Sequence, residues 1–292
     1  MRALAATRSS LLHALCDDAA IFPPGNLPLA EAVPAHLEHR AGRHRRMVGP
    51  FVISSAQLAE LGPLVESQPA TSFDVSVTVP SPSGVAAALE HADAIAALRV
   101  TGIEVSVPEG FPVETVLPSL DTALTGRPET DVFVELPRND LRAALVMALA
   151  STSYLAKLRT GGIRADLYPD EQELAKAIVA TVAARVPFKA TAGLHHAVRN
   201  TDPDTGFEQH GFLNVITAVD AALSGANETQ VATLLAERDA ATVAHRARTL
   251  GDSAEQVRAH FRSFGTCSID EPAEELTALG LNPTQTATEG EN

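Results

Sequence analysis

Short β-rich runs alternate with helix-patterned stretches along nearly the whole chain, and this alternation limits the possible folds more than any single motif does. The runs cover residues 19–22, 51–54, 73–79, 102–107, 131–136, 154–159, 187–192 and 262–268. Helix start signals follow several of them: Ser55 after the second, Pro80-Ser81-Pro82-Ser83 after the third, Asn139 after the fifth and Pro169-Asp170-Glu171 after the sixth. Such residues satisfy or complement the unpaired N–H groups of a first helical turn. Strands joined by helical crossovers pair in parallel. Eight such units in 292 residues, without a composition break, predict one (β/α)8 TIM barrel over residues 1–282. An open, doubly wound α/β sheet is the alternative. Between the seventh and eighth runs, residues 211–223 and 229–246 keep helical spacing. A helical insertion is therefore expected over about residues 205–260, beside the barrel mouth, and a flexible tail over 283–292.

Successive strand residues point to opposite faces. On that parity Asp74, Ser76 and Thr78 oppose a valine face, Glu104 and Ser106 oppose Ile103 and Val105, and Glu135 opposes Val132 and Val134. Lys157 shares a face with Arg159, and Lys189 with Thr191. If helices cover the valine faces, Asp74, Glu104, Glu135, Lys157, Arg159 and Lys189 converge inside. Barrel interiors are mostly filled by branched apolar residues. Three acids and three bases there imply either an active site or a mutually satisfied ion-pair network. Asp17-Asp18 either closes this polar ring or caps a helix. The chain has three lysines, Lys157, Lys176 and Lys189, and two of them fall in these strands.

A net charge of −14 disfavours a nucleic-acid partner. Two cysteines without a Cys-x-x-Cys pair indicate neither a disulfide framework nor a zinc ribbon. No apolar run approaches the roughly 20 residues of a membrane helix. The stretch Leu11-Leu12-His13-Ala14-Leu15-Cys16 is too short and too bulky for a lipoprotein signal, so it reads as a leading amphipathic helix. The expectation is a cytoplasmic protein that binds a small, anionic molecule, needs no cofactor, touches neither nucleic acid nor membrane, and has the option of a homo-oligomer.

Three strand segments resemble those of deoxyribose-phosphate aldolases, a TIM-barrel family. They are Lys157-Leu158-Arg159-Thr160-Gly161, Phe188-Lys189-Ala190-Thr191-Ala192-Gly193-Leu194 and Glu104-Val105-Ser106-Val107-Pro108. The string from Lys189 to His196 is also similar to one in a bacterial family without an assigned function. The aldolase resemblance covers the second half of the barrel. It implies that Lys157 is the Schiff-base nucleophile, Lys189 the neighbour that lowers its pKa, and Glu104 the proton-transfer carboxylate. It further implies phosphate binding by backbone amides at Gly193 and around Gly265, Thr266 and Ser268. The chain departs from the family in several places, among them the helical insertion before the eighth strand, which has no counterpart. Glu104 stands where the family has Asp, Arg159 where it has a small polar residue, and Ala192 where it has a glycine. His195-His196 has no counterpart.

The chemistry is consistent with that resemblance. A free lysine has a pKa near 10.4, and a neighbouring ammonium together with desolvation can bring one down to roughly 7–8. Arg159, Glu135, Asp74, Thr191, His195 and His196 are the expected substrate contacts. Two other readings stay open. In one, His195 and His196 hold a divalent metal with Glu135 or Asp74 for a metal-assisted lyase or hydrolase. In the other, the barrel binds a small anion without turning it over.

Overall fold

The computed structural model describes residues 11–68 and 72–281. Eight parallel strands close into a barrel. In chain order they are β1 (Cys16–Asp18), β2 (Val48–Ser54), β3 (Phe73–Val79), β4 (Leu98–Val105), β5 (Asp131–Glu135), β6 (Leu155–Arg159), β7 (Phe188–Thr191) and, after a small hairpin, β10 (Phe261–Thr266). The circuit runs β1-β2-β3-β4-β5-β6-β7-β10 and returns to β1. The hairpin, β8 (Asn200–Thr201) with β9 (Glu208–Gln209), is antiparallel and stands outside the barrel. The (β/α)8 expectation holds, and the open-sheet alternative does not.

Helices cover the outer face. They are α1 (Leu29–Ala41), α2 (Leu58–Glu66), α3 (Val85–Asp93), α4 (Val113–Ala123), α5 (Leu141–Leu149), α6 (Glu171–Ala183), α7 (Phe212–Leu223), α8 (Glu228–Ala236), α9 (Ala240–Arg248), α10 (Ser253–His260) and α11 (Asp270–Ala278). The parity argument explains their seating. Val75, Val77, Ile103, Val105 and Val134 face these helices fully buried, and branched side chains suit both the pleat and the packing against helices. Among the described residues no helix is long and apolar enough to cross a membrane.

Two elements differ from expectation. The first strand is Cys16–Asp18 rather than residues 19–22, which form the turn after it. Two adjacent aspartates are poor strand formers, but here each finds a buried partner, one on each face. The leading helix expected over residues 11–16 is not found: only Leu11 is helical, residues 12–14 form a turn and Cys16 opens β1. The tail from Pro283 lies outside the described residues.

The second difference concerns residues 211–260, which are helical but do not line the mouth cavity. Nine of the 12 residues of α7 are buried, and its Phe212 stacks on Phe264 of β10 with ring centroids 4.9 Å apart. The helix is thus the barrel's own crossover between its seventh and eighth strands. Helices α8 and α9 pack around it, and α10 runs directly into the start of β10. That is the end where strands begin. None of residues 211–260 lines the mouth cavity.

The segment that does reach the mouth is the loop after β7 with its hairpin. Arg199 pins it, reaching Glu171 of α6 at 2.6 Å and Glu208 at 3.1 Å. His210 sits beneath: its Nδ1 lies 3.1 Å from Arg199 Nη1, and its Nε2 lies 2.9 Å from the Pro169 carbonyl. Since the guanidinium can only donate and the carbonyl only accept, the ring is the neutral tautomer protonated at Nε2. Burial lowers its pKa to about 4.

Candidate active site

Inward-facing side chains of the barrel form two charged layers. The lower centres on Lys189, which has no exposed surface. Its Nζ donates to Asp17 Oδ2 and Glu104 Oε1, both at 2.5 Å, and lies 5.2 Å from the centroid of the Phe133 ring. Ser263 Oγ donates to Asp17 Oδ2 at 2.6 Å, and Ser76 Oγ to Glu104 Oε1 at 2.9 Å. Two glycines make the space. A side chain at Gly49 would overlap the Asp17 carboxylate, and one at Gly102 would press on Ser76 Oγ. Burial alone would push the Lys189 amine down, but the two carboxylates outweigh it and hold the group well above its ordinary value.

The upper layer opens to the mouth. Lys157 Nζ lies 3.4 Å from Glu104 Oε2 and 3.1 Å from Glu135 Oε2. Arg159 Nε donates to the other oxygen of Glu135 at 2.9 Å, and Ser106 Oγ donates to Glu135 Oε2 at 3.0 Å. Burial pushes the Glu104 and Glu135 carboxyls up. The neighbouring cations overcome it, Lys189 and Lys157 for the first and Lys157 and Arg159 for the second, and each carboxyl falls to about 2. Asp17 goes the other way: burial pushes its carboxyl up against the pull of Lys189. The difference is in the number of partners, since Glu104 has two ammonium groups and Asp17 shares one.

A cavity of about 440 Å³ stands over this layer at the C-terminal end of the strands, where barrels place their sites. Lys157, Arg159, Glu104, Thr191, His195 and Gly265 are among its walls. A second chamber of about 370 Å³ adjoins it and shares Pro23, Ala192, His195 and Cys267. Hairpin residues Asp202, Phe207 and Gln209 close its far side, with Tyr168 from the loop after β6. Ala192 adopts φ +64° and Gly193 φ +75° between the chambers. Ala192 thus holds a left-handed backbone that glycine takes more easily.

The structure brings Lys157, Lys189, Glu104, Glu135 and Arg159 together. Asp74 is a correction. It has the inward parity, but it lies near the start of β3, four residues below the cavity-lining Thr78, which is about 13 Å along a strand. There it is bound by Arg99 at 2.6 Å, with Arg40 at 3.7 Å. Asp17 takes its expected place as the third acid. A three-residue strand is too short to show periodicity, so only the ring-or-cap alternative pointed to it.

The two histidines diverge. His195 faces the cavity, with Nδ1 3.5 Å from Cys267 Sγ, and burial lowers its pKa. His196 turns to α11, 2.7 Å from Glu275, whose hydrogen bond raises its pKa. His195, His196, Glu135 and Asp74 therefore do not converge. Among the described residues no group of three or more His, Cys, Asp or Glu side chains is arranged to hold a metal. Thr266 and Ser268 are used by their own turn: Thr266 Oγ1 donates to the Ser268 carbonyl at 2.9 Å, and Ser268 Oγ accepts from the Glu271 N–H at 3.2 Å.

No protein-family model matches the chain, and no curated protein matches it in sequence. In three dimensions it is similar to two crystal structures from Toxoplasma gondii ME49, each assigned as a deoxyribose-phosphate aldolase. One, an apo form, is 12% identical with a TM-score of 0.42, covering 96% of this chain and 98% of that one. The other is 15% identical with a TM-score of 0.39, covering 94% and 93%.

Proposed function

We propose that the mouth cavity is the active site of an aldolase-like lyase in which Lys157 forms a Schiff base with a small carbonyl substrate. One observation carries this reading. Of the three lysines, Lys157 alone lines the cavity, and it does so with two carboxylates within 3.4 Å.

Charge bookkeeping along the reaction favours such a site. An ammonium and a ketone condense to an iminium ion and one water, so a cation is replaced by a cation. Glu104 and Glu135 keep an opposite charge beside this cation as far as the iminium. Both carboxyls sit at about 2 and are ionised at neutral pH, so they can accept protons. The nearer one takes the proton from the carbon next to the iminium, giving the enamine that makes or breaks a carbon–carbon bond. Lys189 is a positioning residue, fixing Glu104 from below.

Borohydride reduction with acetaldehyde tests the proposal. The expected result is a mass increment on the peptide containing Lys157, lost in Lys157→Met. Modification confined to exposed Lys176 or the amino terminus would end the Schiff-base reading. The remaining reading would be a small-anion-binding barrel without turnover.

A further inference from the structure

The geometry points to a 2-oxo acid as the substrate class, with Arg159 and Thr191 gripping the carboxylate beside the carbonyl that Lys157 attacks. This deepens the Schiff-base reading and rests on it.

The argument begins with the cations. Among the described residues, Lys157 and Arg159 are the only lysine or arginine side chains lining the mouth cavity, and the adjoining chamber has neither. His195 is shared by both, and burial disfavours its charged form. A phosphate at the loops after β7 and β10 would meet Asp202 and Glu271. It would also face the first turn of α11, where Asp270 and Glu271 offset the attraction of the helix N-terminus for anions. An anionic group is therefore directed to Arg159.

Arg159 is equipped to receive one. Only its Nε is engaged, by Glu135; Nη1 and Nη2 have no partner among the described residues. The guanidinium is about one-third exposed and opens onto the cavity. Thr191 pairs with Arg159 in strand register. Its Oγ1 is buried without a hydrogen-bond partner, and an unpaired buried hydroxyl is costly until a ligand satisfies it. The two terminal NH2 groups and the hydroxyl offer the donors that a planar carboxylate takes.

Spacing fixes where that carboxylate sits relative to the carbonyl. Lys157 and Arg159 contact the two oxygens of one Glu135 carboxylate, so amine and guanidinium are about one carboxylate apart. In a 2-oxo acid the carboxyl carbon is bonded directly to the carbonyl carbon. Nζ bonds to C2, the C2 oxygen leaves as water with two protons from the ammonium, and the iminium retains the positive charge. The carboxylate remains ionised on Arg159, and no other reactant is needed.

Competitive reductive trapping tests this, using pyruvate against acetone and dihydroxyacetone phosphate against dihydroxyacetone, with peptide mapping at Lys157. Pyruvate should label Lys157 at concentrations at least about tenfold below acetone, the scale of a charge-assisted hydrogen-bond pair. Arg159→Gln should reduce that preference about tenfold, and Thr191→Val should reduce it severalfold. Acetaldehyde labelling at Lys157 in each variant verifies that its pocket is folded. Equal labelling by pyruvate and acetone, or a preference that survives both substitutions, would overturn the carboxylate clamp and leave the Schiff-base reading standing. A stronger preference for the phosphate ester over dihydroxyacetone than for pyruvate over acetone would also overturn it. Absence of any adduct at Lys157 would overturn both.

Discussion

At the scale of single residues, the energetics turn on an ammonium with no exposed surface. Among the described residues, Asp17 and Glu104 are the hydrogen-bond partners of the Lys189 ammonium, and removing one member of such a set leaves the others buried without compensation. Lys189→Met is expected to cost about 3–5 kcal/mol in urea unfolding; a loss under about 1 kcal/mol would mean water or a shifted side chain takes its place. The acids give a pH signature. Glu104 and Glu135 fall from an ordinary 4.5 to about 2. Their stabilisation is complete above pH 4.5 and lost as pH falls through about 2. Each contributes about 3 kcal/mol at 1.36 kcal/mol per pH unit. Asp17 is pushed upward, so it binds its proton more readily folded than unfolded and returns part of that loss. Urea midpoints between pH 5 and 2 should fall steeply in the wild type and less steeply in Glu104→Gln relative to its own value at pH 5.

At the scale of elements, the loop after β7 has a titration window of its own. His210 is held neutral between Arg199 and the Pro169 carbonyl, with its pKa lowered to about 4. The unfolded chain takes up a proton near 6.5 and the folded chain only near 4. The associated stability is complete above pH 6.5 and declines by about 3 kcal/mol as pH falls to 4. His210→Gln should flatten that limb of the midpoint profile; an unchanged slope between pH 6.5 and 4 would exclude His210 as its source. Neither this latch nor the hairpin it supports was legible in the sequence. Strands of two residues have no periodicity, and the partners of Arg199 are set by tertiary packing. Where strands run five to eight residues, parity gave the inward faces of β3 to β6. It failed only for the position of Asp74, because period two specifies a face and not a height along the strand. The helical pattern of residues 211–260 was legible too, but amphipathicity says that a face is buried without saying against what.

At the scale of the whole molecule, the barrel closes through its shortest strand. Asp17 points inward to Lys189, and Asp18 points outward to α1, where its Oδ2 lies 2.9 Å from Nδ1 of buried His36. Register in a sheet is ordinarily enforced by polarity, since a slip of one residue exchanges the two faces. In β1 that code is weakened: after a slip of one residue an aspartate would still occupy one of the two buried sites, with Cys16 or Ala19 at the other. Shape must break the tie. Opposite β1, the strand β2 is irregular between its pairings at Val48 and Phe51, and in that irregular stretch Gly49 leaves a notch that the Asp17 carboxylate fills. Gly49→Ala would fill the notch from the other side and remove the cue that distinguishes one frame from the next. The expected outcome is hydrogen exchange at the Cys16 and Ala19 amides rising at least tenfold more than at core amides of β4, with the barrel still assembled. Uniform exchange across both strands would show that the frame is set elsewhere. A seam that closes by a lock-and-key fit of one carboxylate into one missing side chain has no redundancy, so the two positions can change only together.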